Sequence, residues 1–202
     1  MSTQLRSRAL VLASTSRYRR ELLQRLHLPF EVVAPHVDET PLPGERPLAA
    51  AQRLSIAKAE VVAGQRPEAI VIGSDQTATL DGLLIVGKPG GHERAVEQLR
   101  AASGRTMRFF SGLALVIKTA AFKRVVVVET VVRFRHLNDR MIEEYLLSEK
   151  PYDCAGSAKS EGLGIALIQS LECNDPTALV GLPLIALTSL LTEAGLPPLG
   201  RV

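Results

Sequence analysis

The chain has 202 residues, 24 of them Lys or Arg and 21 Asp or Glu, for a formal net charge of +3. With 46% hydrophobic and 22% charged residues, it has the composition of a soluble globular protein that can bury a core without disulfide or metal staples. The mild charge, the lack of a long Lys/Arg run and 4% aromatics argue against a nucleic-acid partner. Cys154 and Cys173 lack CxxC spacing, which argues against a zinc site or a disulfide framework and makes the cytoplasm the expected location. The apolar run in "MSTQLRSRALVLAST" is too short for a signal peptide, and no apolar stretch approaches ~20 residues, so no membrane span is expected.

"RALVLAST" reads as a buried strand opening into a loop of small residues. A helix then begins near Ser16, with Leu22, Leu23 and Leu26 on one face. Its first turn carries Arg17, Arg19 and Arg20, where helices favour Asp or Glu because the free backbone N–H groups already present positive charge. "PFEVVAP" is a second strand, and "HVDETPLPGERP" is a Pro-rich loop holding Asp38 and Glu39. "LAAAQRLSIAKAEVVAG" is a helix ended by Gly64, with Lys58 inside an apolar stripe of Ala51, Leu54, Val61 and Val62. "EAIVIGSDQTATLDGLLIVGKP" reads as a hairpin turning at Asp81-Gly82. "HERAVEQLRAASG" is a helix closed by Gly104, and "RTMRFFSGLALVIK" and "FKRVVVVETVVRFRHL" are paired long strands. "NDRMIEEYLLSEKP" is a helix with Asn138 as N-cap. "CAGSAKSEGLG" is a small, glycine-rich loop with Lys159 and Glu161, and "GIALIQSLEC" is the last strand. "LPLIALTSLLTEAG" is the last helix, with Pro183 near its first turn, and the longer apolar run "ALVGLPLIALTSLL", interrupted by Gly181 and Pro183, reads as a buried helix. Alternation followed by a long antiparallel pair gives an α/β architecture: a mixed parallel and antiparallel sheet flanked by helices, in one domain over residues 1–202.

The chemistry concentrates at two strand ends. Ser14, Ser16, Arg19 and Arg20, with free N–H groups of the helix start, form a candidate phosphate site. "IVIGSDQ" is an apolar strand ending in Asp75, a carboxylate able to bind a metal or take a proton from water. A two-residue turn at Asp81-Gly82 would place Lys88 opposite Asp75. Lys58 is either a snorkelling lysine or a functional one, and Asp38 and Glu39 are candidate metal ligands or a solvated loop. There is no Walker A motif and no DxDx phosphatase nucleophile. Arginines, lysines and one strand-end Asp therefore point to metal-assisted hydrolysis of phosphates without a covalent intermediate.

"LASTSRYRRELL", "VDET", "RLSIAKA", "IGSDQ", "GKP", "ASG", "FRHL", "CAGSAKSEGLG" and "LVGLPL", in that order, resemble the Maf (septum-formation) family of nucleotide pyrophosphatases nearly end to end. The resemblance implies an α/β fold like that of inosine triphosphate pyrophosphatases, with two lobes around a cleft. It also implies a homodimer and a divalent cation, Mg²⁺ or Mn²⁺, with Asp75 as general base or metal partner, beside which Glu39 is the second candidate ligand. Asp75, Lys58 and Lys88 match the family's catalytic residues, and Ser14, Arg19 and Arg20 its phosphate-binding loop. Arg17 stands where the family has proline. Tyr18, Gln76 and Glu161 match the branch that acts on 7-methylguanosine triphosphate. Tyr18 would stack on the cationic base, Gln76 would read an edge, and Glu161 would accept from guanine's adjacent donors, at a cost to pyrimidines. The alternatives are the dTTP/UTP pyrophosphatase branch and a non-catalytic nucleotide-binding regulator of cell division.

Overall fold

The computed structural model describes residues 8–200. Residues 1–7 and 201–202, the ends of the expected domain and half of the stretch read for a signal peptide, lie outside the described residues. Among the described residues no helix is long and apolar enough to cross a membrane.

Six strands form one open sheet in the order β2-β1-β3-β4-β5-β6. β1 (Leu10–Ala13) runs parallel to β2 (Phe30–Val33) and β3 (Ile70–Thr79). β4 (Thr106–Ile117), β5 (Phe122–Phe134) and β6 (Ile168–Cys173) continue it antiparallel. β1 is buried at all four positions, as befits an apolar run between two parallel neighbours. The expected mixed sheet flanked by helices is what the chain forms.

The length mismatch between β1 and β3 positions the site. β1 ends at Ala13, opposite Gly73, while β3 runs six residues further. Asp75 therefore lies in mid-strand, not at a strand end, at the place where β3 loses its parallel neighbour. On one sheet face α2 (Pro47–Gln65) crosses β3 and β4 at close range. A Cβ added at Gly73 would lie 2.6 Å from the Ala59 nitrogen, and one at Gly112 would meet the Ala51 carbonyl carbon at 2.8 Å. Those two glycines, with Ala51, Ser55 and Ala59, let helix and sheet approach closely enough for Lys58 to reach Asp75. Gly64 does not end α2. The helix runs on to Gln65 and stops before Pro67, which disfavours helical geometry at Arg66.

Apolar side chains gather at both ends of the β3–β4–β5 strands. Leu12, Ile72, Leu115 and Leu187 belong to one cluster, with Val11, Val62, Val71 and Ala114 on the opposite sheet face. Phe109, Val132, Phe134 and Tyr145 belong to a cluster at the other end, under α3 (His92–Ala102) and α4 (Asp139–Glu149). The polar residues Ser74, Asp75, Gln76 and Ser111 fall between these two lobes.

Three local expectations change. The Asp81-Gly82 hairpin does not form, because Asp81 Oδ1 accepts from the nitrogens of Leu83 and Leu84 and Thr79 Oγ1 accepts from Gly82. That curls the chain, leaving one bridge, Ala78↔Val86, and no pairing of Asp75 with Lys88; Asp75 pairs with Gly112 on β4. In "GIALIQSLEC", Leu163–Leu167 is a 3-10 turn and only the remainder is strand. "ALVGLPLIALTSLL" is not one helix. A 3-10 turn at Ala178–Val180 is broken by Gly181 at φ +118, and α5 (Leu184–Glu193) follows Pro183.

Candidate active site

One cleft of about 750 Å³ lies over the midpoint of β3. Its size suits a nucleotide. Ser14, Ser16, Tyr18 and Arg19 line it from the β1–α1 junction, Glu39 from the Pro-rich loop and Lys58 from α2. Asp75 and Gln76 come from β3, Lys88 from the loop that follows it, and Glu161 from the glycine-rich loop.

α1 (Arg17–Gln24) starts at Ser16, whose Oγ accepts from the Arg19 nitrogen at 3.4 Å. Ser14 Oγ accepts from the Ser16 nitrogen at 3.2 Å, so both serines shape the loop that opens the helix. Arg19 Nε donates to the Gly181 carbonyl at 2.9 Å, and its Nη1 lies 3.4 Å from Ser14 Oγ. Among the described residues it makes no ion pair. Burial pushes its pKa down, while Asp75 and Glu39 act to hold it up. A half-buried guanidinium at a helix N-terminus without a carboxylate partner can hold an anion.

Arg20 is the exception among the expected phosphate residues. It is exposed and faces a separate shallow hollow with Gln24, Leu28, Phe30 and Val32. Lys159, in the glycine-rich loop, pairs with Glu149 at 2.8 Å and lies off the cleft wall. Asp38 also stays outside the cleft, its carboxylate accepting from the Thr40 nitrogen.

Lys58 is not a snorkelling lysine. Its side chain is 5% exposed and its Nζ lies 2.6 Å from both Asp75 Oδ1 and Glu39 Oε1. Val61, placed in the same stripe by the sequence, faces solvent. For Glu39, burial works to raise the pKa, but the hydrogen bond and charge of Lys58, then Lys88 and Arg19, outweigh it and hold the carboxyl below its usual range. Lys88, exposed on the cleft wall, thus acts on the same cluster through its charge, without the expected strand pairing.

Two carboxylates on one ammonium are close enough to share another cation. Among the described residues no cluster of three or more acidic, His or Cys ligands exists. Mg²⁺ commonly uses only one or two carboxylates, taking its remaining ligands from water and substrate phosphates. Asp75 and Glu39 fit that donor set.

Gln76 is held on its nitrogen side. Nε2 donates to Ser111 Oγ and to the carbonyls of Ala178 and Leu179 at 2.9–3.0 Å. Carbonyls only accept, so the amide orientation is fixed and Oε1 is the atom left to read a ligand. Glu161 is exposed, so the expected penalty for leaving it unpaired is smaller than that of a buried carboxylate.

Sequence reasoning missed the scaffold behind these groups. Buried Asp175 accepts from the nitrogens of Ile185 and Ala186 at the start of α5 and from Thr177. That clamp presents the 178–181 backbone, whose Gly181 carbonyl takes both Arg19 and Ser74 and whose Ala178 carbonyl takes Ser111 and Gln76. The signal was present as "NDP" followed by Gly181, turn chemistry inside an apolar run.

The chain matches the family model described as Maf-like protein over residues 9–194. It belongs to the Maf family. Within that family it is similar to proteins named 7-methyl-GTP pyrophosphatase. One from Polaromonas sp. is 60% identical over 189 residues, covering 94% of this chain and 86% of the relative. One from Nitrosococcus oceani is 58% identical over 190 residues, covering 94% and 95%. One from Bordetella pertussis is 57% identical over 190 residues, covering 94% of each. Maf membership agrees with a nucleotide-sized cleft that offers an unneutralised arginine beside a carboxylate–lysine cluster.

Proposed function

We propose that this Maf protein is a nucleoside triphosphate pyrophosphatase that hydrolyses 7-methylguanosine triphosphate to the monophosphate and pyrophosphate. The observation that carries the reading is Arg19: a half-buried guanidinium at the α1 N-terminus, free of any ion pair among the described residues and lining the cleft that holds Asp75. The names of relatives at 57–60% identity support the choice of substrate.

In this reading Arg19, Ser14 and the first N–H groups of α1 hold the phosphate chain, and Lys88 closes on it from the opposite loop. Lys58, fixed by Glu39 and Asp75, orients the Asp75 carboxylate. Asp75 takes a proton from a water whose oxygen bonds to the α-phosphorus. The bridging oxygen–phosphorus bond breaks, and pyrophosphate leaves with the electron pair. Asp75 and Glu39 would hold Mg²⁺ or Mn²⁺, which would neutralise charge on the phosphate oxygens. Tyr18 stacks on the base, with Gln76 Oε1 and Glu161 as acceptors for guanine's donors. The biological role would be removal of modified nucleotides from the pool, in the cytoplasm, by a homodimer.

The test is pyrophosphate release over a panel of 7-methylguanosine triphosphate, GTP, dTTP and UTP with Mg²⁺ or Mn²⁺. Highest kcat/KM with the methylated nucleotide is expected. Faster turnover of dTTP or UTP assigns the chain to the pyrimidine branch, and binding without release under every condition makes it a nucleotide-binding regulator.

A further inference from the structure

The base end of the cleft carries a charge arrangement that stacking and guanine recognition leave unused. Arg17 lies over the Tyr18 ring, its guanidinium carbon 4.7 Å from the ring centroid, and its Nη2 donates to the Tyr18 hydroxyl at 2.8 Å. The Asp153 carboxylate faces the same place. Its Oδ1 is 3.5 Å from the Tyr18 hydroxyl and 3.6 Å from Cys154 Sγ. Asp153 lines the cleft with Tyr18, Cys154 and Glu161. Arg17, Asp153 and Glu161 are all exposed.

A guanidinium is a planar, delocalised cation with N–H donors. A purine methylated at N7 is the same kind of group. In the free protein the aromatic face beside Asp153 already carries such a cation, supplied by Arg17.

We propose that Asp153 is a specificity residue of this site: with the Tyr18 ring it favours a positively charged base over the neutral parent base. The inference rests on the nucleotide pyrophosphatase reading above and adds a selection by charge. Neutral guanine gains the stacking and the Glu161 acceptor but nothing from Asp153. The methylated base gains a cation–π contact on Tyr18 and a carboxylate at its side. Arg17 is the incumbent that the base displaces. Because the carboxylate is exposed, water and salt screen the attraction, and the preference it supplies is about three- to tenfold and shrinks at high ionic strength.

The test compares kcat/KM for 7-methylguanosine triphosphate and GTP in wild type, Asp153→Asn, Asp153→Glu and Arg17→Ala, with equilibrium binding of the two monophosphates alongside. In Asp153→Asn the methylated-to-unmethylated ratio should fall about three- to tenfold through KM, with GTP within twofold of wild type. Asp153→Glu should restore most of it, and Arg17→Ala should keep or raise it. The inference is overturned if Asp153→Asn keeps the ratio, or slows both substrates alike. It is also overturned if Arg17→Ala lowers the ratio as Asp153→Asn does, because Asp153 would then serve only to hold Arg17. A wild type with no preference for the methylated nucleotide fails the functional reading itself. A wild-type preference that survives in Asp153→Asn fails only this inference.

Discussion

Lys58, Asp75 and Arg19 sit on a long helix, a mid-strand position and a capped helix start, whereas Asp153, Cys154 and Glu161 sit in the irregular segment between α4 and β6. At the first end Lys58 and Asp75 are buried, Arg19 is half-buried, and all three are held on several sides. Lys58 makes two 2.6 Å ion pairs, and Arg19 is fixed by a backbone carbonyl that is itself clamped by Asp175. At the second end the carboxylates are exposed and their contacts are long. Electrostatic groups held rigid and dry act strongly on a developing charge, while exposed loop groups act weakly but change easily. On the proposed function, the cleft thus separates a fixed chemical end from a tunable recognition end.

The sharpest way to break that division is Asp75→Asn. The amide keeps the shape but cannot take a proton, and kcat should fall about 10³-fold with KM little changed. Glu39 still neutralises Lys58, so the thermal melt should stay cooperative. Near-wild-type turnover would remove Asp75 from the reaction. Arg19→Ala comes next. It deletes the half-buried cation, and kcat/KM should fall about 10²-fold for every nucleotide alike, with inhibition by added pyrophosphate weakened in parallel. A loss confined to one base would place Arg19 at the wrong end of the cleft. Tyr18→Ala should do the reverse. Losing a stacking surface worth about 1–3 kcal/mol should raise KM for 7-methylguanosine triphosphate about tenfold while kcat stays within twofold. A fall in kcat instead would show that the two ends are not separable.

The same division explains what could be read from the sequence. The mixed sheet, the five helices and the Asn138 cap follow from apolar periodicity and local capping, whereas the strand expected after Asp81-Gly82 does not form, α2 runs past Gly64 and the last strand is shorter than its apolar run. Lys58 was visible as a charge inside an apolar stripe, a local contradiction of the kind that functional sites produce. The route by which Lys88 reaches the cluster was misread, because the side-chain bonds of Asp81 and Thr79 override the two-residue turn that Asp-Gly favours. The 178–181 scaffold reads as helix in the sequence because its apolar residues mask a turn held by Asp175, whose partners Ile185 and Ala186 are ten and eleven residues away in α5. Asp153 carries no pattern of its own. Only the fold brings it to Tyr18, 135 residues earlier in the chain.

The smallest expected effect concerns the arginine pair itself. Neighbours on a helix leave its axis about 100° apart, and here Arg19 lines the cleft while Arg20 does not. The Gly181 carbonyl and Ser14 fix which of them does. Arg20 instead borders the exposed β2 edge, beside Phe30 and Val32, where solvent screens its charge. Arg20→Ala should therefore leave kcat/KM within about twofold at physiological salt, against the roughly 10²-fold loss in Arg19→Ala. Equal losses in the two variants would mean that α1 rotates when nucleotide binds, and that the phosphate end is less rigid than its hydrogen bonds imply.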